Sequence, residues 1–123
     1  MNWLAVAAGA VLGAWTRWWL GVWLNTAHAT LPFGTLAANL AGGFLSGLAL
    51  AFFTAHPELP AAVRLFAVTG LLGALTTFST FTAESLFLLQ RGEVLWALGH
   101  TALHLFGSLA LCALGFALYR SLS

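Results

Sequence analysis

The stretch Gly70-Leu71-Leu72-Gly73-Ala74-Leu75-Thr76-Thr77-Phe78-Ser79-Thr80-Phe81-Thr82-Ala83-Glu84 decides how this chain is read. It lies inside an apolar segment running from about Ala61 to Leu89. Two glycines and five hydroxyl residues are packed into an interval that otherwise reads as membrane helix. Glycine and β-branched threonine are weak helix formers, and hydroxyls compete for backbone hydrogen bonds. The stretch therefore predicts a helix broken near Thr76, close to the bilayer midplane. Non-helical backbone persists within hydrocarbon only where it is buried in protein or lines a wet cavity. A binding or permeation site is expected here, and the other segments are expected to house it.

The rest of the composition agrees with a membrane setting. Of 123 residues 61% are hydrophobic and 6% charged, and all four basic residues are arginines. A soluble domain would carry roughly a quarter charged residues. The length allows one domain, residues 1–123, and the near-neutral charge gives no reason to expect a nucleic-acid partner. Membrane lipid is the expected surround. The single cysteine, Cys112, cannot form a disulfide within the chain and reads as a buried, inert thiol. Ala27-His28-Ala29 resembles a small-residue cleavage site, but Met1-Asn2 carries no basic start and the preceding apolar run is too long for a signal peptide. The first segment is read as a retained span.

Four spans are predicted, at about residues 3–24, 34–54, 61–89 and 94–119, each of about the 20 residues that cross a bilayer. Gly9 and Gly13 form one close-packing pair, and Gly43 and Gly47 a second. Trp15, Trp18, Trp19 and Trp23 crowd the far half of the first span, as interfacial anchors do. Arg17 stands among them, either snorkelling to headgroups or lining a vestibule that attracts anions. With four spans, Arg64 and Arg120 fall on one side, while Arg91 and Arg17 belong to the other. Arginine and lysine excess normally sets orientation, and here there is none. Insertion in both orientations is expected, and with it an antiparallel homodimer.

The candidate site residues follow from chemistry. Phe78 and Phe81 share a face once helix resumes, and their ring edges carry partial positive charge that can favour an anion. The alternative is ordinary core packing. Ser79, Thr80 and Asn39 add neutral donors, though Asn39 also suits a purely interhelical hydrogen bond. His100, His104 and Ser108 recur at spacing four and line one face of the fourth span. A metal reading of the two histidines has the right spacing, but the sequence shows no third ligand. Carbonyls released near Gly73 and Thr76 suit a hard cation, as unwound helices do in transporters. In an antiparallel pair they would converge on the twofold axis.

These residues resemble the Fluc (CrcB) fluoride channels over essentially the whole chain. The resemblance rests on Gly9 to Arg17, on Gly34-Thr35-Leu36-Ala37-Ala38-Asn39 with Gly43, and most specifically on Gly73 to Glu84 with its Thr-Thr-Phe-Ser-Thr-Phe core. It implies an all-α membrane protein of four transmembrane helices, the third broken, assembled as a dual-topology homodimer in the inner (plasma) membrane. It implies passive fluoride export through two antiparallel pores. It also implies a structural sodium ion on the backbone carbonyls of Gly73 and Thr76 from both copies. Phe78 and Phe81 would line the path, with Asn39 placing ion and rings, Arg17 toward the vestibule, and Glu84, Ser79, Thr80, His100, His104 and Ser108 along the polar route. Where the family has tyrosine, serine and serine on the fourth helix, this chain has His100, His104 and Ser108, which keeps donors but adds titratable rings.

Two other readings stay open from sequence. A small multidrug-type exporter, also four-helical and of dual topology, should need a carboxylate in the first span, and that span has none. A structural membrane subunit would use the tryptophan faces for docking. An enzyme is not expected, since no nucleophile-base pair stands out.

Overall fold

The computed structural model describes residues 1–25 and 31–123. The stretch resembling a cleavage site, residues 27–29, and most of the first loop lie outside the described residues. The chain is all-helical. A first helix spans Asn2–Leu24 and a second Phe33–Ala55. The third runs over Ala61–Gln90 and the fourth over Val94–Leu122. The last three are long and apolar enough to cross a membrane, which marks a membrane protein. The first is 23 residues long but is not among them. Arg17 and the amphipathic tryptophans, exposed at Trp15, Trp18, Trp19 and Trp23, together lower its hydropathy.

Pro60 precedes the third helix and Ala61 opens it, as expected of a residue that cannot continue a helix backward. Between the third and fourth helices, Gly92 takes φ +77°. This left-handed turn lets Glu93 N–H return to the Leu88 carbonyl at 2.9 Å. On the other face of the bundle, the His56 ring stands 3.2 Å from both the Glu58 carboxylate and the Tyr119 hydroxyl. That pairing ties the second loop to the end of the fourth helix.

Glycines set the helix spacing. A Cβ on Gly9 would run into the Phe66 carbonyl, and one on Gly13 into the Leu71 carbonyl, so the first and third helices touch backbone to backbone. Gly47 meets the Cys112 carbonyl in the same way, and Gly43 lies against Ser108, joining the second helix to the fourth. Cys112 is half-buried at this seam, not buried as the sequence suggests, and it is its carbonyl that faces Gly47. Ala38, Leu72 and Leu75 form the packed centre between the second and third helices.

The third helix is irregular through its middle. Residues Leu65–Leu72 make wide π-type turns, and Gly73–Leu75 return to α geometry. Thr76 (φ −87°, ψ 155°) and Thr77 (φ −150°, ψ 122°) are extended. Helix resumes at Phe78 and continues to Gln90. The fourth helix has its own π-type turns over Leu103–Gly107, a segment that contains His104. Such insertions are frequent at functional sites.

Candidate ion pathway

The groups freed at Thr77 are taken up by the second helix, while Thr76 N–H keeps its helical bond to the Leu72 carbonyl at 3.0 Å. Thr77 N–H donates to Asn39 Oδ1 at 2.7 Å instead of to the Gly73 carbonyl four residues back. The Thr77 carbonyl accepts from Asn39 Nδ2 at 2.9 Å. One carboxamide thus holds both polar groups of one residue, as a neighbouring strand would. The Thr77 hydroxyl caps the resumed helix by accepting Thr80 N–H at 3.1 Å. The Thr76 hydroxyl donates back to the Leu72 carbonyl at 2.9 Å. At the end of the first half, Arg17 Nε donates to the Ala74 carbonyl at 3.0 Å. Arg17 therefore sits where the negative end of a helix dipole needs a cation, an anchoring role that its tryptophan neighbours did not signal. Exchanging Arg17 for methionine, which keeps the stem and removes the charge, should cost about 1.5–3 kcal/mol. Thermal melting in detergent would show it, and an unchanged melting temperature would mean that this bond contributes nothing.

Around this junction lies a cavity of about 280 Å³, lined among others by Asn39, Thr77, Phe78, Phe81, His104 and Ser108. Five of these are candidates on sequence grounds; Thr77 adds to them because its backbone, at the break, faces the second helix. The resumed helix brings the positive end of its dipole to the cavity at Phe78. The Phe78 and Phe81 rings meet edge to face with centroids 5.5 Å apart. Phe81 also stacks on His104 at 4.7 Å and lies 5.4 Å from His100. A second cavity, of about 290 Å³, is lined by Thr80, Glu84, Phe87 and Arg91 among others. Ser79 is exposed and approaches the Thr77 hydroxyl at 3.4 Å, and Ser108 Oγ reaches the Asn39 carbonyl at 3.4 Å.

His100 and His104 are 1% and 5% exposed, the deepest polar side chains of the fourth helix. Four residues apart on one helical face, the two rings meet at a centroid distance of 4.4 Å. Glu84 Oε2 accepts the Thr35 hydroxyl at 2.7 Å. Glu84 Oε1 stands 3.4 Å from His100 Nε2, near but without the alignment of a hydrogen bond. Glu84 Oε1, His100 Nε2 and His104 Nε2 are all buried without a hydrogen-bond partner among the described residues. Glu84, His100 and His104 each bring one potential ligand atom within 4.8 Å of the others, a cluster with the makings of a metal site. This corrects the expectation that the histidines have no third ligand. Glu84 lies on another helix, 16 residues before His100, and no local spacing shows it. Thr35 joins the cluster through Glu84; its place four residues before Asn39, on the same helical face, is the one sequence signal for it.

The sequence that builds this geometry has known relatives. The pattern of the family described as CrcB-like protein, Camphor Resistance (CrcB), matches residues 4–116. The chain belongs to the CrcB family. Among individual relatives, a protein named fluoride-specific ion channel FluC from Bordetella petrii is 61% identical over 117 residues, covering 95% of this chain and 90% of its own length. A FluC of Cupriavidus metallidurans is 54% identical over 123 residues, covering 100% and 98%. One from Pseudomonas putida is 52% identical over 120 residues, covering 98% and 94%. These CrcB relatives are named as ion channels, not enzymes, and they match this chain through the junction and both cavities.

Proposed function

We infer that the chain is a fluoride-specific ion channel that lets fluoride leave the cell passively across the inner membrane. The observation that carries this is the 52–61% identity to relatives named fluoride-specific ion channel FluC over 95% or more of this chain; the CrcB match over residues 4–116 contains every residue of the pathway described above. The local chemistry supports it. A small, strongly hydrated anion needs neutral donors and positive ring edges in place of water, and the cavity offers Asn39, Ser108, Phe78 and Phe81 without a formal cation that would trap it. Residues 1–123 form one domain in this reading, with all four helices spanning and the extended Thr76-Thr77 junction near the midplane. Glu84, Ser79, Thr80, His100 and His104 continue the polar route, and Arg17 stands behind the vestibule.

The active unit in this reading is an antiparallel dimer of oppositely inserted copies. Arginines balance two against two across the membrane. Gly73 is exposed, and a Cβ there would come no nearer than 3.6 Å to any neighbour in the chain. Phe78 is 79% exposed. A second copy would cover this open face. The Gly73 carbonyl has lost its helical donor, Thr77 N–H, to Asn39, and Thr76 is extended. Backbone oxygens outside the helical ladder are the donor set a sodium ion takes, so the residues fit a structural sodium shared between copies at Gly73 and Thr76.

Fluoride efflux from liposomes containing only the purified protein tests the function. No efflux above empty liposomes would sink it. Orientation is tested separately. A Ser123→Cys variant in a Cys112→Ser background should be labelled in part from each side of the native membrane. Labelling from one side alone would remove the antiparallel dimer.

A further inference from the structure

We propose that Asn39 is a positioning residue that holds His104 as its Nε2–H tautomer, so that this imidazole shows the polar cluster a donor and never an acceptor. The placement of that donor on the anion route rests on the fluoride-channel reading above. Three contacts carry the proposal. The Asn39 carboxamide is oriented by Thr77: its oxygen must face the Thr77 N–H at 2.7 Å and its nitrogen the Thr77 carbonyl at 2.9 Å. Turning the amide over would set donor against donor and oxygen against oxygen. With that orientation held, the second proton of Asn39 Nδ2 points to His104 Nδ1 at 2.9 Å. An amide nitrogen only donates, so Nδ1 accepts and carries no proton. In a neutral ring the proton then sits on Nε2, which is buried and has no partner in the chain.

The same contact decides against the metal that the cluster's composition invites. Two histidines and a carboxylate within 4.8 Å of one another have the ligand types of a zinc site. A zinc ion on His104 Nε2 would need that nitrogen bare and the proton moved to Nδ1, where it would meet the Asn39 N–H. Metal-bound histidines give their other N–H to an acceptor, and here the neighbour is a donor. The family's serine at this place can turn its hydroxyl either way. His104 is restricted to donating, which favours an anion and offers nothing to a cation.

The test is solid-state NMR of bilayer-embedded protein with ¹⁵N-labelled histidine, His104 being assigned by its loss in His104→Gln. The expected spectrum shows His104 with bare Nδ1 and protonated Nε2 at pH 7; an Nδ1–H ring or an imidazolium overturns the proposal. Asn39→Asp puts an acceptor in place of the donor and should flip His104 to Nδ1–H. Calorimetric titration with zinc chloride should then find a site that the wild type lacks and that Asn39→Asp with His100→Gln loses again. Zinc bound at the wild-type cluster through His104 is a contrary result, readable even if the Asp variant fails to fold. For flux, His104→Gln keeps an N–H donor near the Nε2 position and should stay within about threefold of wild type, whereas His104→Leu should fall about tenfold. Equal flux in both would overturn the role of the donor. A wild type with no flux would sink the channel reading while the NMR result stood.

Discussion

Phe81→Ile should lower fluoride flux by about tenfold or more while the protein remains folded and elutes as the wild type does. Isoleucine keeps apolar bulk and removes the ring. The Phe81 ring touches three others, at 4.7 Å to His104, 5.4 Å to His100 and 5.5 Å to Phe78. Aromatic contacts of this kind are worth about 0.5–1.5 kcal/mol each, and about 1.4 kcal/mol is a factor of ten in rate. Loss of the positive ring edge adds to the effect at the anion, and loss of the stack lets both imidazoles drift from their cluster. Phe78→Ile should reduce flux as well, through its own edge, but with less disturbance of its neighbours, since within one chain it contacts a single ring and is 79% exposed. Liposome efflux measured on both variants decides. Wild-type flux in Phe81→Ile would return this ring to core packing.

The largest stability loss is expected at Gly47. A branched side chain there, in Gly47→Val, would place Cβ on the Cys112 carbonyl and within 2.8 Å of Phe116 N, both backbone atoms that cannot step aside. The second and fourth helices would have to separate along their seam. Overpacking of this kind costs about 1–3 kcal/mol or more, so the variant should melt well below the wild type or fail to accumulate. A thermal melt in detergent followed by tryptophan fluorescence measures it, and an unchanged midpoint would mean that the seam is looser than its contacts indicate. Gly73→Ala is the informative contrast. Its Cβ would make only an ordinary contact within the chain, with the Val68 carbonyl at 3.6 Å, so a marked loss of stability would point to a second copy approaching that face.

What could be read from sequence divides along a physical line. The apolar runs are long and nearly uncharged, and helix is the spanning form in which a single segment satisfies every backbone polar group by itself. An all-helical membrane protein was therefore legible from composition and run length. The first helix was harder: its tryptophans marked an interface but lowered the hydropathy that identifies a span. The glycine pairs were legible as packing devices, because a missing side chain matters only where another backbone comes close. Which helix each pair meets was not, since Gly9 and Gly47 carry the same local pattern and face different partners.

By itself, then, the sequence determined the kind of molecule and the place of its chemistry. Charge scarcity set the solvent, helix period set the stripe of His100, His104 and Ser108, and the hydroxyl-rich stretch marked where backbone groups would need outside partners. The tertiary structure decided who those partners are. Asn39 and Arg17 lie 38 and 57 residues from the groups they satisfy. Glu84 joins the two histidines from a different helix, a contact decided by how the third and fourth helices turn about their axes. The wide turn at Leu103–Gly107 is not written in any residue preference. Hydrogen bonds between helices depend on rotation and depth, and these are set by summed packing along whole helices, with no local signal in the residues that use them.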